Sequence, residues 1–140
     1  MILLDTSGLL AAIDAAQRLH SEAAASLTAA PGPLLLSPFV LAELDYLLGA
    51  RVSQAARIAL LGEVARGAYR LEPFSAADVD EARRVIERHR DLGISLADAS
   101  IVVLAARYRA RDVLTLDERH FRVLSVKRRA FRVLPADNHG

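Results

Sequence analysis

The sequence predicts a single α/β domain built on a mainly parallel sheet, and three observations lead there. Short apolar runs recur between longer helical stretches: Ile2-Leu3-Leu4, Leu34-Leu35-Leu36 and Val113-Leu114-Thr115-Leu116. None of them alternates apolar with polar residues, which suits strands buried on both faces, as in a parallel sheet. The order reads strand, helices, strand, helices, strand, helices, strand, strand, and that alternation is the pattern of an α/β sandwich.

Each element has its own signal. Asp5-Thr6-Ser7 closes the first strand, and Gly8 to Ile13 reads as a short helix. A second helix is predicted over 21–29, ended by Pro31-Gly32-Pro33. After the Leu34-Leu35-Leu36 strand, Ser37 is an N-cap and Pro38 a first helical residue. The helix they open is predicted over 39–48 and broken at Gly49. Ser53 opens another to about Arg66, stopped by Gly67. Tyr69-Arg70-Leu71 is a weak strand. Ser75 and Asp78 form a capping box with Asp in the place of Glu, and the helix after them is charged on its outer face. Ser95-Leu96-Ala97-Asp98 begins the most apolar helix, which runs to about Tyr108. The strand over 113–116 ends at Asp117, with a helical turn around Glu118–Phe121. A last strand is predicted over 131–134 and a frayed tail over 135–140. One domain thus spans 1–140, with its core over about 2–134.

Bulk properties exclude several classes. At 140 residues the chain can bury a real core. It is 53% hydrophobic with a mean hydropathy of +0.24, high for a small soluble monomer, so an apolar face covered by a partner is expected. No apolar run reaches the ~18 residues of a membrane span, and no basic region precedes the first apolar run, so no signal peptide is read. With no cysteine there is no disulfide, thiolate metal site or cysteine nucleophile, and a cytoplasmic location is compatible. Net charge is only +1, but it is unevenly spread: residues 1–50 sum to −4 and residues 107–132 to +6. Such asymmetry can set an acidic site beside a basic rim.

Four acids stand at strand ends or in the helices that follow. Asp5 and Asp117 directly follow apolar strands, Glu43 lies about two turns in from Ser37, and Asp98 lies in the first turn of the apolar helix. In a parallel sheet these points share one edge, the edge where ligands bind in open α/β folds. Each has a plainer role alone. Asp5 and Asp98 are at cap positions, Glu43 is a helix residue among Leu41, Ala42 and Leu44, and Asp117 opens a turn. Gathered together they repel, at roughly 3–4 kcal/mol per close pair at an effective dielectric constant near 20. A cation relieves that repulsion. No histidine clusters beside these acids, and oxygen-only donors select Mg²⁺ or Mn²⁺, with a phosphodiester as the natural substrate. Thr6, Ser7 and Thr115 are hydroxyl residues placed to orient carboxylates or water, or simply to cap helices. Asp45, two residues from Glu43, points to another helix face.

These residues resemble a known family. The runs Ile2-Leu3-Leu4-Asp5-Thr6-Ser7, Ser37-Pro38 with Ala42-Glu43-Leu44, Gly93-Ile94-Ser95-Leu96-Ala97-Asp98-Ala99, and Leu114-Thr115-Leu116-Asp117 with Phe121 look like the four signature blocks of PIN-domain ribonucleases. Their spacing over Ile2 to about Leu134 is similar to that of VapC toxins of bacterial toxin–antitoxin pairs. The resemblance implies a PIN-like three-layer sandwich with four to five central strands and a Mg²⁺- or Mn²⁺-dependent endoribonuclease. It implies the acidic quartet Asp5, Glu43, Asp98 and Asp117, with Asp5 and Asp98 most directly on the metal. It further implies products with a 5′-phosphate and a 3′-hydroxyl, a homodimer, and a VapB-type antitoxin that obstructs the acidic pocket. The helices over 39–48 and 53–66 are the expected partner contact. Arg107, Arg109, Arg111, Arg119 and Arg122 are candidates to hold the RNA backbone.

The alternative is a catalytically silent module of the same fold that binds RNA or a partner. The intact quartet argues against it. A haloacid-dehalogenase phosphatase needs a second Asp two residues after the first, where this chain has Ser7. A receiver domain needs a lysine at a strand end, and the only lysine is Lys127.

Overall fold

A computed structural model describes residues 1–138. Five parallel strands form the central sheet: β1 (Ile2–Leu4), β2 (Leu34–Leu36), β3 (Arg70–Leu71), β4 (Asp112–Leu114) and, after a two-stranded hairpin of β5 (Ser125–Val126) and β6 (Arg129–Ala130), β7 (Arg132–Leu134). Their spatial order is β3-β2-β1-β4-β7. Leu3 pairs with Leu35 on one side and Val113 on the other. Ile2, Leu3 and Leu4 are all at most 1% exposed. Successive strand residues face opposite sides, so β1 is covered on both. Among the described residues seven α-helices flank the sheet: α1 (Thr6–Ile13), α2 (His20–Ala29), α3 (Pro38–Arg51), α4 (Gln54–Ala65), α5 (Ala76–Arg88), α6 (Leu96–Tyr108) and α7 (Glu118–Phe121). The fold is the α/β sandwich that the sequence predicts.

The chain builds β1, β2 and β3 outward in one direction, then returns to lay β4 on the other side of β1. The sheet therefore reverses its order between β1 and β4. At that point the loops leaving two neighbouring strands part to opposite sides, which opens a crevice at their carboxyl ends. Asp5 leaves β1 there, and the Thr115–Asp117 loop leaves β4.

Local signals explain most boundaries. Ser37 caps α3 by accepting from Phe39 N at 3.1 Å, and it also touches Ser100 of α6 at 2.6 Å. Ser100 gives its proton to the Ala97 carbonyl, so Ser37 is the donor to Ser100. Both predicted capping boxes form, at Ser75/Asp78 and Ser95/Asp98.

Four expectations need correction. Gly49 does not end α3, which continues to Arg51. Instead it makes room for α4, because a Cβ there would lie 2.9 Å from Arg57 Cδ. β4 ends at Leu114, not Leu116: Thr115 N still donates to the Leu134 carbonyl, but the Ser7 and Thr115 side chains take the N–H groups of Leu116 and Asp117. Tyr69-Arg70-Leu71 contributes an edge strand of two residues. The tail is held rather than frayed through Asn138: Asp137 accepts from Val133 N and from Arg122. His139 and Gly140, also assigned to the tail, lie outside the described residues. No helix among the described residues is long and apolar enough to cross a membrane.

Candidate active site

Gly8 brings the first turn of α1 against the end of β4; an added Cβ would meet the Leu114 carbonyl oxygen at 2.3 Å. That approach puts Ser7 beside Thr115. Asp5 is 5% exposed, and its Oδ2 accepts from Thr115 Oγ1 at 2.6 Å and Ser7 Oγ at 3.1 Å. Each hydroxyl has one proton, and both go to Asp5. Their free lone pairs accept from Asp117 N and Leu116 N, both at 2.9 Å. Asp5 and the loop carrying Asp117 are thereby fixed to each other. The Asp5 carboxylate makes no capping hydrogen bond to α1. Thr6, expected beside Ser7, lines the crevice, but its buried hydroxyl has no partner among the described residues.

Asp98 caps its helix and lines the crevice at once. Its Oδ2 accepts from Ser95 N at 3.1 Å in the capping box, and the same carboxylate lines the crevice. Asp117 likewise caps α7 through His120 N at 3.1 Å and faces the crevice. Glu43 is exposed on α3 and completes the rim. All four acids thus border one recess of about 390 Å³, together with Thr6, Ser7, Leu10, Gln17, Leu47, Arg51, Ser95 and Leu116.

Burial leaves its mark on the two inner acids. Loss of hydration pushes the Asp5 carboxyl up to about 7, against the pull of its Thr115 hydrogen bond; the nearby Asp98 charge adds to the rise. Asp98 is raised for the same first reason, burial, while its bond from Ser95 N and the His120 ring pull it down and Asp117 pushes it up.

Two residues at this site carry no signal in the sequence, one behind Asp98 and Asp117 and one on the recess itself. His120 Nδ1 lies 2.7 Å from Asp117 Oδ2 and 3.5 Å from Asp98 Oδ2. It is nevertheless buried without an aligned hydrogen bond. Donor atoms of Asp98, Asp117 and His120 all lie within 4.8 Å of one another, so an imidazole nitrogen stands beside carboxylates that the sequence reading took as an oxygen-only set. A nitrogen beside two carboxylates, close but not hydrogen-bonded, is a donor set that fits a divalent cation. Arg51 is the second. Glu43, Leu47 and Arg51 follow at intervals of four along α3 and border the same recess. Arg51 has no ion pair among the described residues.

The other named residues are placed as follows. Asp45 turns away from the recess and forms a two-point ion pair with Arg57 of α4, at 2.8 and 2.9 Å. Arg107 is held by Glu72, Asp78 and the Pro73 carbonyl; Glu72 is 3% exposed and also accepts from Arg70 and Tyr108. Arg122 pairs with Glu118 and Asp137. The guanidinium groups of Arg107 and Arg122 are thus both engaged in ion pairs within the chain. Arg119, exposed in the turn that Asp117 caps, has no such pair among the described residues.

A switch-point crevice rimmed by four carboxylates on a five-stranded parallel sheet defines a PIN-type nuclease domain. The PIN domain family profile matches residues 2–127, and the chain belongs to that family, in its VapC ribonuclease branch. Ribonuclease VapC26 of Mycobacterium tuberculosis (strain ATCC 25618 / H37Rv) is 45% identical over 123 residues, covering 88% of this chain and 91% of that protein. Among solved structures, M. tuberculosis VapC20, a sarcin-ricin loop cleaving toxin, superposes with a TM-score of 0.78 at 24% identity, over 84% of this chain and 90% of that one. FitAcB from Neisseria gonorrhoeae superposes with a TM-score of 0.55 at 23% identity, over 78% and 83%. At those identities the two structures bear on the fold alone.

Proposed function

We propose that this protein is the toxin of a VapBC-type pair, an endoribonuclease that hydrolyses structured RNA, transfer or ribosomal, in the cytoplasm with Mg²⁺ or Mn²⁺. The observation that supports it most is the recess itself: four acids from four separate stretches of chain border one opening at the sheet's switch point. Asp5, Asp98, Asp117 and His120 are the residues that would hold a divalent cation, with Glu43 at the rim. When bound, such an ion supplies charge neutralisation at phosphorus and lowers the pKa of a water. The chain's own part is positional. Ser7 and Thr115 fix the Asp5 carboxylate with two hydroxyl donors. The capping box fixes Asp98, and the α7 cap fixes Asp117. Arg51, on the rim, and Arg119, exposed in the turn that follows Asp117, hold flanking phosphates as unpaired guanidinium groups.

The partner surface is the outer face of α3 and α4. Tyr46, Val52, Ile58 and Leu61 are 72%, 41%, 60% and 39% exposed there. We assign this apolar face to the antitoxin and to a second copy of the chain.

The test is cleavage of total bacterial RNA by the purified chain, with and without Mg²⁺ or Mn²⁺, with new 5′ ends mapped. Asp5→Asn and Asp98→Asn should each lower cleavage by at least 100-fold while leaving the circular dichroism spectrum unchanged. His120→Ala should weaken Mn²⁺ binding by about 10–100-fold. Wild-type cleavage rates in both Asp variants would overturn the assignment. RNA binding that ignores metal and yields no product would instead support the silent module.

A further inference from the structure

A second charged recess lies at the opposite edge of the sheet. It measures about 320 Å³ and is bordered by Arg109, Arg111, Val126, Lys127 and Arg129. Arg109 caps the C-terminus of α6, Arg111 leads into β4, and Lys127 and Arg129 belong to the β5–β6 hairpin. Arg128 stands at the hairpin tip. None of these five cations has a carboxylate partner among the described residues; Arg111 only reaches the Ala130 carbonyl, at 3.4 Å. Asp112, next to Arg111 in the chain, is paired with Arg132 at 3.1 Å. Elsewhere on this protein arginines are mostly paired: Arg57, Arg66, Arg70, Arg83, Arg84, Arg107 and Arg122 all meet acids.

The backbone at this patch is also unfavourable in isolation. Four non-glycine residues among those described have positive φ, and three of them are cations of this patch: Arg109 at 53°, Lys127 at 48° and Arg128 at 69°. Val126 pairs with Arg129 across a two-residue turn. Two left-handed residues in that position form the turn for which Asn-Gly is the favoured sequence, because long L side chains are strained there. Crowded like charges and left-handed cationic residues both oppose folding, and a polyanion at this spot relieves the first of the two.

We propose that this recess is an anchoring site for the phosphate backbone of the folded RNA whose scissile strand enters the acidic recess. The proposal rests on the nuclease reading above. Asp98 sits in the first turn of α6 and Arg109 at its end, eleven residues on, so the two sites are ~16 Å apart along that helix. Residues 118–126 connect the Asp117 loop to the hairpin, with Arg119, Arg122, Val123 and Ser125 exposed. A single short strand in the acidic recess leaves the second site empty. A stem or folded loop offers a second run of phosphates at that separation, so the second site favours structured RNA over single strands.

The experiment measures binding in chelator, where nothing is cut, so it is independent of cleavage. The probes are a labelled RNA stem-loop with a single-stranded overhang and the overhang oligonucleotide alone. The variant is Lys127→Asn/Arg128→Gly/Arg129→Gln, which removes three charges and installs the favoured turn, so its melting temperature should equal or exceed that of the wild type. The stem-loop should bind at least 10-fold more weakly to the variant, and the slope of log K against log salt should fall by about two to three. The overhang alone should change less than 2-fold. Equal stem-loop affinity and slope in the two proteins would overturn the proposal. So would unchanged RNA binding joined to lost affinity for an acidic antitoxin, which would make the patch a protein site. If the wild type cuts no RNA with either metal yet shows the stem-loop dependence, the nuclease reading fails and the anchoring site stands.

Discussion

A carboxyl that keeps its proton close to neutrality is what burial makes of Asp5. Its folded pKa of about 7 lies above the ~3.9 of an unfolded Asp. The proton-bound form is favoured in the folded chain, so the group's stabilising contribution is complete below about pH 4. It fades as pH rises and is gone above about pH 7. In chelator, the stability of the protein should therefore fall between pH 4.5 and pH 8 through this residue, by on the order of 2–4 kcal/mol. Asp5→Asn, which accepts the same hydroxyl donors and carries no charge, should lack that fall, and its advantage over the wild type should grow with pH. Urea unfolding of both proteins at the two pH values measures it. A constant difference across the window would show that Asp5 is not the group responsible. Added Mg²⁺ or Mn²⁺ should reverse the order at pH 8, because only the carboxylate gains from a cation.

At the scale of elements, one glycine decides how closely α1 and β4 meet. The Leu114 oxygen would stand 2.3 Å from a Cβ on Gly8, and that oxygen belongs to backbone, which cannot swing away like a side chain. Gly8→Ala should therefore push α1 off the sheet, cost about 1–3 kcal/mol, and part Ser7 from Thr115. Activity should fall with it, since those two hydroxyls hold Asp5. Gly62→Ala is the control, because its nearest neighbour is the movable Arg66 Nη1 at 3.4 Å; it should leave both stability and cleavage within a small margin of wild type. Comparable losses in both would show that Gly8 has no special place. The elements also show what a sequence can disclose. Caps at Ser37, Ser75 and Ser95 are local chemistry, and they were readable. Asp5, Asp98 and Asp117 are legible because strand ends and first helical turns have local signatures, and Glu43 because it is an acid set among Leu41, Ala42 and Leu44 in the helix after a strand. Arg51 was not, since Gly49 reads as a helix end and hides the third residue of the Glu43–Leu47–Arg51 face; only the packing of Arg57 shows why a glycine stands there. His120 was missed because nothing within its turn shows that the start of α6 comes to rest against it. The β5–β6 hairpin was missed because Lys127-Arg128 is the reverse of a turn signal.

For the molecule as a whole, the apolar face and the acidic recess share one helix. α3 presents Tyr46 outward on one side while Glu43, Leu47 and Arg51 border the recess on another. α4 extends the apolar side with Ile58 and Leu61, tied to α3 by Asp45 and Arg57. A chain seated on that face needs only to continue past α3 to reach the carboxylates, where a basic side chain would take the place of a cation. One partner can thus gain affinity from apolar burial and block the recess by charge. Burying Tyr46 and Ile58 contributes ~1.5–3 kcal/mol each, so Tyr46→Ala/Ile58→Asp should weaken antitoxin binding by at least 100-fold. RNA cleavage by the free chain should stay within 2-fold, since neither residue borders the recess. High salt should separate the two contributions further, weakening the contact at the recess and leaving the apolar one. Titration calorimetry at 50 mM and 500 mM salt, with both proteins and the antitoxin, tests this. An affinity unchanged by the double substitution would move the partner to another face of the molecule.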